Sequence, residues 1–193
     1  MKEYKLILHP KDPRAEPPAT EPLTTRLAAW GLTGNPFAFR GREHYLVGEQ
    51  FMQLITFLGC SPAVAFEPPA DGSERDGADF CHLELRGPFP TTRFLGEGGV
   101  KRPRCPRCRG WIDDWEHALS RWREGETHLH PCPRCGEAID PTTFKWRHSA
   151  GFGRLAIAIW GVFEGEAVPS ETLLRLLRES SGGEWDYFYS RAV

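Results

Sequence analysis

The stretch Leu155-Ala156-Ile157-Ala158-Ile159-Trp160-Gly161-Val162-Phe163 is the clearest strand signal in the chain. Its apolar side chains form two alternating sets, Leu155, Ile157 and Ile159 in one and Ala156, Ala158 and Trp160 in the other. Successive side chains of a strand point to opposite faces, so both faces of this strand need an apolar cover. The stretch predicts a central strand of a sheet that is covered on both sides.

A helix and a final strand follow this stretch. Pro169-Ser170-Glu171 is typical of a helix start, and Gly182-Gly183 is typical of a helix end. Between them Leu173, Leu174 and Leu177 recur at helical spacing. Residues 185–189 are rich in aromatic side chains that favour strands. The C-terminal part therefore predicts strand–helix–strand.

The N-terminal part predicts a similar order. We expect a strand over residues 4–9, a helix from Thr20, a short strand over residues 44–47 and a helix over residues 49–58. Two further strands, over residues 63–66 and 80–85, flank a polar loop and predict an antiparallel hairpin. Residues 87–100, rich in Gly and Pro, are expected to be a linker.

These elements predict an α+β fold with a mixed β-sheet and flanking helices. The sheet is interrupted by an insert over residues 101–148 that carries most of the cysteines. The expected host domain is discontinuous, comprising residues 1–100 and 149–193.

Four of the six cysteines form two Cys-x-x-Cys pairs, Cys105-Pro106-Arg107-Cys108 and Cys132-Pro133-Arg134-Cys135. Each pair bends the backbone so that both sulfurs point at one ion, and two pairs supply the tetrahedral four-sulfur shell that Zn²⁺ prefers. We therefore predict that Cys105, Cys108, Cys132 and Cys135 bind one structural zinc ion. Cys60 and Cys81 lie in apolar stretches and are expected to be inert core residues.

Both pairs resemble the knuckles of zinc-ribbon domains, and Cys132-Pro133-Arg134-Cys135-Gly136 has the usual form of that family. The resemblance implies that the four cysteines are metal ligands, and it covers only the insert. The first knuckle departs from the pattern, since Arg109 stands where a glycine commonly follows the second cysteine. Zinc ribbons serve nucleic-acid binding, protein docking or stability, so the resemblance selects no function.

The segment between the knuckles predicts a helix in place of the strands usual in zinc ribbons. Asp113 and Glu116 resemble a capping box, and Trp115, Ala118, Leu119 and Trp122 then form an apolar stripe. We expect this stripe to pack inside the molecule, with a docking face for another protein as the alternative. His128 and His130 flank the second knuckle, but four cysteines already complete a tetrahedron.

Composition excludes some classes of function. The net charge of −2 lacks the basic excess of most nucleic-acid binders, although Arg102, Arg104, Arg107, Arg109 and Arg134 lie near the cysteines. We expect this basic run to compensate the charge of the thiolates, because no aromatic platform is interleaved with it. No apolar run is long enough to span a membrane and no signal peptide is evident, so the expected location is the cytoplasm.

No catalytic group stands out. Cys81 and His82 are adjacent in a predicted strand, so their side chains point to opposite faces, and nothing in the sequence pairs His44 with an acid. The leading hypothesis is a non-enzymatic, cytoplasmic protein with a structural zinc that mediates protein–protein interaction or assembly. The alternatives are a nucleic-acid-binding zinc ribbon and a small-molecule enzyme in which zinc is purely structural.

Overall fold

The computed structural model describes residues 3–18, 20–59, 64–68, 80–123 and 129–192. Its strands are β1 (Glu3–Pro10), β2 (Thr33–Phe39), β3 (Arg42–Val47), β4 (Ile55–Phe57), β5 (His82–Arg86), β6 (Arg93–Phe94), β7 (His130–Pro131), β8 (Ala138–Ile139), β9 (Phe152–Gly153), β10 (Ala156–Trp160), β11 (Ala167–Pro169) and β12 (Trp185–Ala192). Its α-helices are α1 (Thr20–Ala29), α2 (Phe51–Leu54), α3 (Trp115–Arg123) and α4 (Glu171–Ser181), and a 3₁₀ helix spans Pro141–Thr143.

A six-stranded sheet in the order β12-β1-β10-β5-β3-β2 forms the centre of the fold. β10 lies between β1 and β5, where Ile157 pairs with Leu8 on one side and with Leu85 on the other. Every residue of β10 is buried. The prediction of a central strand covered on both faces is confirmed.

The α+β class is confirmed, but the expectation of a mixed sheet is wrong in one respect. All the described strand pairs of this sheet are antiparallel. The strand–helix–strand unit at the C-terminus does exist, as β10, α4 and β12. However, β1 lies between β10 and β12 and pairs with both, so these two strands run in the same direction without pairing with each other.

One face of the sheet packs against the helices. Leu6, Leu8, Leu83 and Ile157 point to this side, where they meet leucines of α1 and α4 in one apolar core. The predicted start and end of α4 are confirmed, since the Ser170 hydroxyl accepts a hydrogen bond from Leu173 N at 3.2 Å and Gly182 adopts φ 72°.

The opposite face combines a smaller apolar core with buried polar groups. Ile7, Ala158, Trp160 and Phe188 lie on this side and pack with Phe39 and Leu95. Lys5, His82 and Glu84 lie on the same side and are also buried. This face, which we call the polar face of the sheet, therefore buries charged and polar side chains beside apolar ones.

The cysteine-bearing segment has a separate core, which we call the insert core. Its buried members are Cys105, Ile112, Ala118, Leu119, Cys132, Ile139, Phe144, Trp146, Ala150 and Phe152. Phe94 of the predicted linker packs on Trp146 and Phe152, with ring centroids 5.2 Å apart in each pair. β6 also pairs with β9, so residues 87–100 are built into the structure and are not a free linker.

Two predicted elements are wrong. The helix expected over residues 49–58 is only one turn long, α2, because Ile55–Phe57 leaves it to pair with Ala167–Pro169. The strand expected over residues 63–66 is not formed by residues 64–66, although Cys81 N donates a hydrogen bond to Ala65 O at 2.6 Å. Residue 63 and most of the predicted loop lie outside the described residues.

Among the described residues, none of the helices has the length and apolar character needed to cross a bilayer.

Candidate functional site

The four predicted ligands lie together. Their sulfur atoms all lie within 4.8 Å of one another. Cys105 Sγ is 4.0 Å from Cys135 Sγ, and Cys108 Sγ is 3.7 Å from Cys132 Sγ. With zinc–sulfur bonds of about 2.3 Å, the edge of a regular tetrahedron is about 3.8 Å. The cluster therefore has the size of a four-sulfur metal site and can hold one metal ion.

Both cysteine pairs fold into the same turn. Cys105 N donates to Gly110 O, and Arg109 N donates to Cys105 O. The second turn repeats these two bonds with Cys132 N to Glu137 O and Gly136 N to Cys132 O. The first turn sits at the end of a bridge between Arg104 and Trp111, and the second at the end of the β7–β8 hairpin. These two small hairpins bring the cysteine pairs face to face.

Backbone N–H groups surround the sulfurs. Arg107 N and Cys108 N point at Cys105 Sγ at 3.3 and 3.4 Å, and Gly110 N points at Cys108 Sγ at 3.4 Å. Such donors stabilise a thiolate. Arg107 also pairs with Glu137 at 2.9 Å, which joins the two turns by an ion pair at the surface.

The thiols compete for ionisation because they are so close. Desolvation opposes ionisation of Cys132, but hydrogen bonds from the backbone of Cys135 and Arg134 outweigh it and lower the pKa of Cys132 to about 7. Glu137 N favours the Cys135 thiolate, yet desolvation and hydrogen bonds to the other three thiols raise the pKa of Cys135 to about 12. Four thiolates thus need a bound cation to coexist.

The neighbouring histidine is not brought to the sulfurs. His130 is buried, and its Nε2 donates to Asp114 Oδ1 at 3.1 Å. The bond ties the start of the second hairpin to the start of α3. His128 lies outside the described residues.

The apolar stripe of α3 faces inward. Ala118 and Leu119 are buried in the insert core. Trp115 and Trp122 are half-buried and meet the rings of Trp146 and Phe152 edge-on, at centroid distances of 5.4 and 5.1 Å. The expectation of intramolecular packing is confirmed, and both tryptophans keep a partly exposed side chain.

Sequence analysis missed an aromatic side chain within the basic run. Arg104 forms backbone bridges with both Trp111 and Lys145. The guanidinium groups of Arg102, Arg104 and Arg147 lie 4.4, 4.1 and 5.4 Å from the Trp111 ring. Arg147 and Lys145 join this group only through the fold, since they lie after the second cysteine pair in the chain.

The two remaining cysteines are Cys81 and Cys60. Cys81 is fully buried, and burial raises the pKa of its thiol to about 12, as expected for an inert core residue. Cys60 lies outside the described residues.

A cluster of ionisable groups lies on the polar face of the sheet, where sequence analysis found no acid for His44. Glu84 accepts hydrogen bonds from Arg42 and Arg86 at 2.9 Å and from Trp160 at 3.2 Å. Glu97 accepts from Lys5 at 2.8 Å and also from Arg86. His44 comes into the same cluster because β3 pairs with β5.

A groove of about 600 Å³ opens onto this cluster. It is lined by Lys5, Phe39, Arg40, Arg42, His44, Glu84, Arg86, Glu97, Gly98 and Trp160. A second cavity, of about 1020 Å³, shares Arg42, Glu84, Arg86 and Glu97 with it. We call the smaller cavity the sheet groove.

Comparison with known proteins adds no relative, because no family profile, curated protein or solved structure matches the chain. The similarity of the cysteine turns to zinc knuckles therefore rests on their own geometry. Membership of the zinc-ribbon family stays a prediction.

Proposed function

We propose that the chain is a non-enzymatic, cytoplasmic protein with one structural zinc ion, and that it binds another protein through the surface around Trp111. Four sulfurs at tetrahedral spacing support a closed site, because a catalytic zinc keeps one position open for water or substrate. The ion would join two hairpins and complete the insert core, to which Cys105 and Cys132 already belong.

The docking surface consists of Arg102, Arg104, Trp111, Lys145 and Arg147, which we call the Trp111 face. Residues paired across a bridge share one face, so Arg104, Trp111 and Lys145 point the same way. Trp111 is half-buried, and Lys145 and Arg147 are exposed. Tryptophan and arginine are the side chains most enriched at binding hot spots.

The chemistry of this face favours an acidic protein partner. Three guanidinium groups lie near the Trp111 ring and Lys145 is bridged to Arg104, while among the described residues Asp113 pairs with Arg102. Arg147 also holds a left-handed backbone, at φ 56°, which is strained for a residue other than glycine. A local basic patch on a chain of net charge −2 attracts acidic groups without attracting polyanions over long distances.

Nucleic acid is the second candidate, and the position of Trp111 is the observation in its favour. Arginines next to an aromatic ring are common where bases stack. However, the guanidinium groups of Arg102 and Arg104 already lie over the Trp111 ring, where a base would otherwise stack. We therefore favour the protein partner.

Affinity capture with charge reversal tests the proposal. Tagged wild-type protein should enrich a defined acidic partner from lysate, and Arg147→Glu should lose it by about tenfold or more. Arg175→Glu, which reverses an exposed charge on α4, is the matched control and should retain it. The same partner should be recovered after nuclease treatment and should bind directly when purified.

Two outcomes would overturn the proposal. Equal capture by Arg147→Glu and wild type would remove the Trp111 face. Saturable binding of a fluorescent single-stranded oligonucleotide, weakened by salt and by Arg147→Glu, would replace the protein partner by nucleic acid.

A further inference from the structure

The sheet groove combines excess positive charge with unused hydrogen-bond donors. Among the described lining residues, Lys5, Arg40, Arg42 and Arg86 carry positive charge, and Glu84 and Glu97 carry negative charge. The groove is thus electrostatically suited to a negatively charged molecule.

Both carboxylates form ion pairs with basic side chains of the protein. Burial alone would raise the pKa of Glu84, but its ion pairs with Arg86 and Arg42 outweigh burial and hold that pKa below its usual value. Glu97 is held in the same way by Arg86 and Lys5. The acids therefore position the guanidinium groups and offer little to a cationic ligand.

Arg42 and Arg86 have more N–H donors than their described carboxylate partners use. A guanidinium group has five N–H donors. Within the part of the chain that the structure describes, Arg42 uses Nη1 on Glu84, and Arg86 uses Nε on Glu84 and Nη1 on Glu97. The Arg42 side chain is 72% exposed although its carboxylate partner is buried. Its remaining donors face solvent at the rim of the groove.

An unpartnered imidazole lines the same groove. His44 is 1% exposed, and its Nδ1 is buried without a hydrogen-bond partner among the described residues. Buried polar groups are rarely left unpaired, and such exceptions concentrate at functional sites. The ring is held by Phe39, His82 and Trp160, whose centroids lie 5.0–5.6 Å away.

We propose that the sheet groove binds a small organic anion through a carboxylate or phosphate group, with Arg42 and Arg86 as its main donors and His44 as a neighbouring polar contact. Planar guanidinium groups match both kinds of oxyanion. The aromatic rings of Phe39 and Trp160 in the lining suit an attached apolar group. The volume of the groove is that of a small-molecule site.

A titration of phenyl phosphate and of benzoate at constant ionic strength tests this site. Isothermal titration calorimetry should show saturable binding of at least one probe, and the probe that binds identifies the oxyanion. Arg42→Gln should weaken that binding by at least about tenfold, because a charge-assisted hydrogen bond is lost. Arg175→Gln, on the opposite side of the sheet, is the matched control and should bind as wild type.

A second measurement does not depend on a variant. Amide resonances of Lys5, His44 and Glu84 should shift on titration of the wild-type protein, whereas those of α4 should not. Absence of saturable binding for both probes, or equal binding by Arg42→Gln, would overturn the site. Shifts confined to residues outside the groove would do the same.

Discussion

Arg109 and Gly136 occupy equivalent positions in the two cysteine turns and share the left-handed backbone, at φ 58° and 71°. The departure of Arg109 from the knuckle pattern is thus a change of side chain without a change of backbone. Left-handed backbone costs a residue with a Cβ atom about 1–2 kcal/mol.

We therefore expect Arg109→Gly to raise the free energy of unfolding by about 0.5–1 kcal/mol, since glycine relieves the strain at some entropic cost. Gly136→Ala should lower it by about 1 kcal/mol, because a Cβ there meets open space and only the backbone term acts. Urea denaturation with one equivalent of zinc measures both changes. Arg109→Gly less stable than wild type would contradict the equivalence of the turns.

Zinc removal should unfold the insert core. We expect one zinc per chain by elemental analysis, and less than about one-tenth of that in Cys135→Ser, because an exposed ligand is lost without a cavity in the core. Arg134→Ser, in the same turn, is the control and should keep its metal. Full zinc content in Cys135→Ser would show that the sulfurs do not form the site.

The two tryptophans Trp115 and Trp146 should be coupled energetically. Their rings meet edge-on at 5.4 Å, an arrangement worth about 0.5–1.5 kcal/mol beyond burial. A double-mutant cycle with Trp115→Leu and Trp146→Leu measures this coupling in urea. Trp115→Leu combined with Trp185→Leu is the control, because Trp185 lies in a different core. A coupling energy near zero for Trp115 and Trp146 would show that α3 packs elsewhere.

Acid should destabilise the sheet through His82. Burial and the neighbouring His44 lower the pKa of His82 to about 4 despite its hydrogen bond to Phe80 O. The unfolded state, with a pKa of about 6.5, therefore takes up the proton first as the pH falls. The stability contributed by neutral His82 is complete above pH 6.5 and is lost on acidification toward pH 4, by at most about 3 kcal/mol.

Urea denaturation between pH 7 and pH 4.5 measures this slope. His82→Phe should flatten it, because phenylalanine keeps a ring beside Trp160 and cannot be protonated. The groups that face His82 are His44, Glu84 and Lys5, and the variant leaves them in place. A slope unchanged in His82→Phe would assign the effect to another group.

Local pattern was sufficient for features that depend on one segment. The alternation around Ile157 predicted a strand covered on both faces, and the stripe around Leu119 predicted a helix that packs inward. The cysteine spacing predicted a cluster that the folded chain brings together, because each Cys-x-x-Cys turn is determined locally. In each case the pattern that indicates the feature lies within a short segment, although contacts with distant residues complete it.

Features that depend on distant pairing were missed. Ile55–Phe57 has a helical pattern but becomes a strand because Ala167–Pro169 supplies its hydrogen bonds. The sheet is antiparallel and not mixed because β1 lies between β10 and β12 and pairs with both. Glu84 comes near His44, and Lys145 pairs with Arg104, across strand pairs that no local spacing indicates.

Arg86, at the end of β5, pairs with Ala156, at the start of β10, so the chain leaves the sheet and returns to it at the same place. In topological terms β5 and β10 form a hairpin, and everything between them is its loop. Closing a loop costs only about 0.6 kcal/mol for each doubling of its length. A metal cross-link between the two cysteine pairs shortens this loop by roughly half, so it changes the free energy of hairpin closure by only about 0.6 kcal/mol. The ion therefore stabilises mainly the segment between β5 and β10. A longer connection between the two cysteine pairs should therefore cost the hairpin little, whereas Leu95 and Glu97, which contact the sheet, tie the start of this segment to the strands.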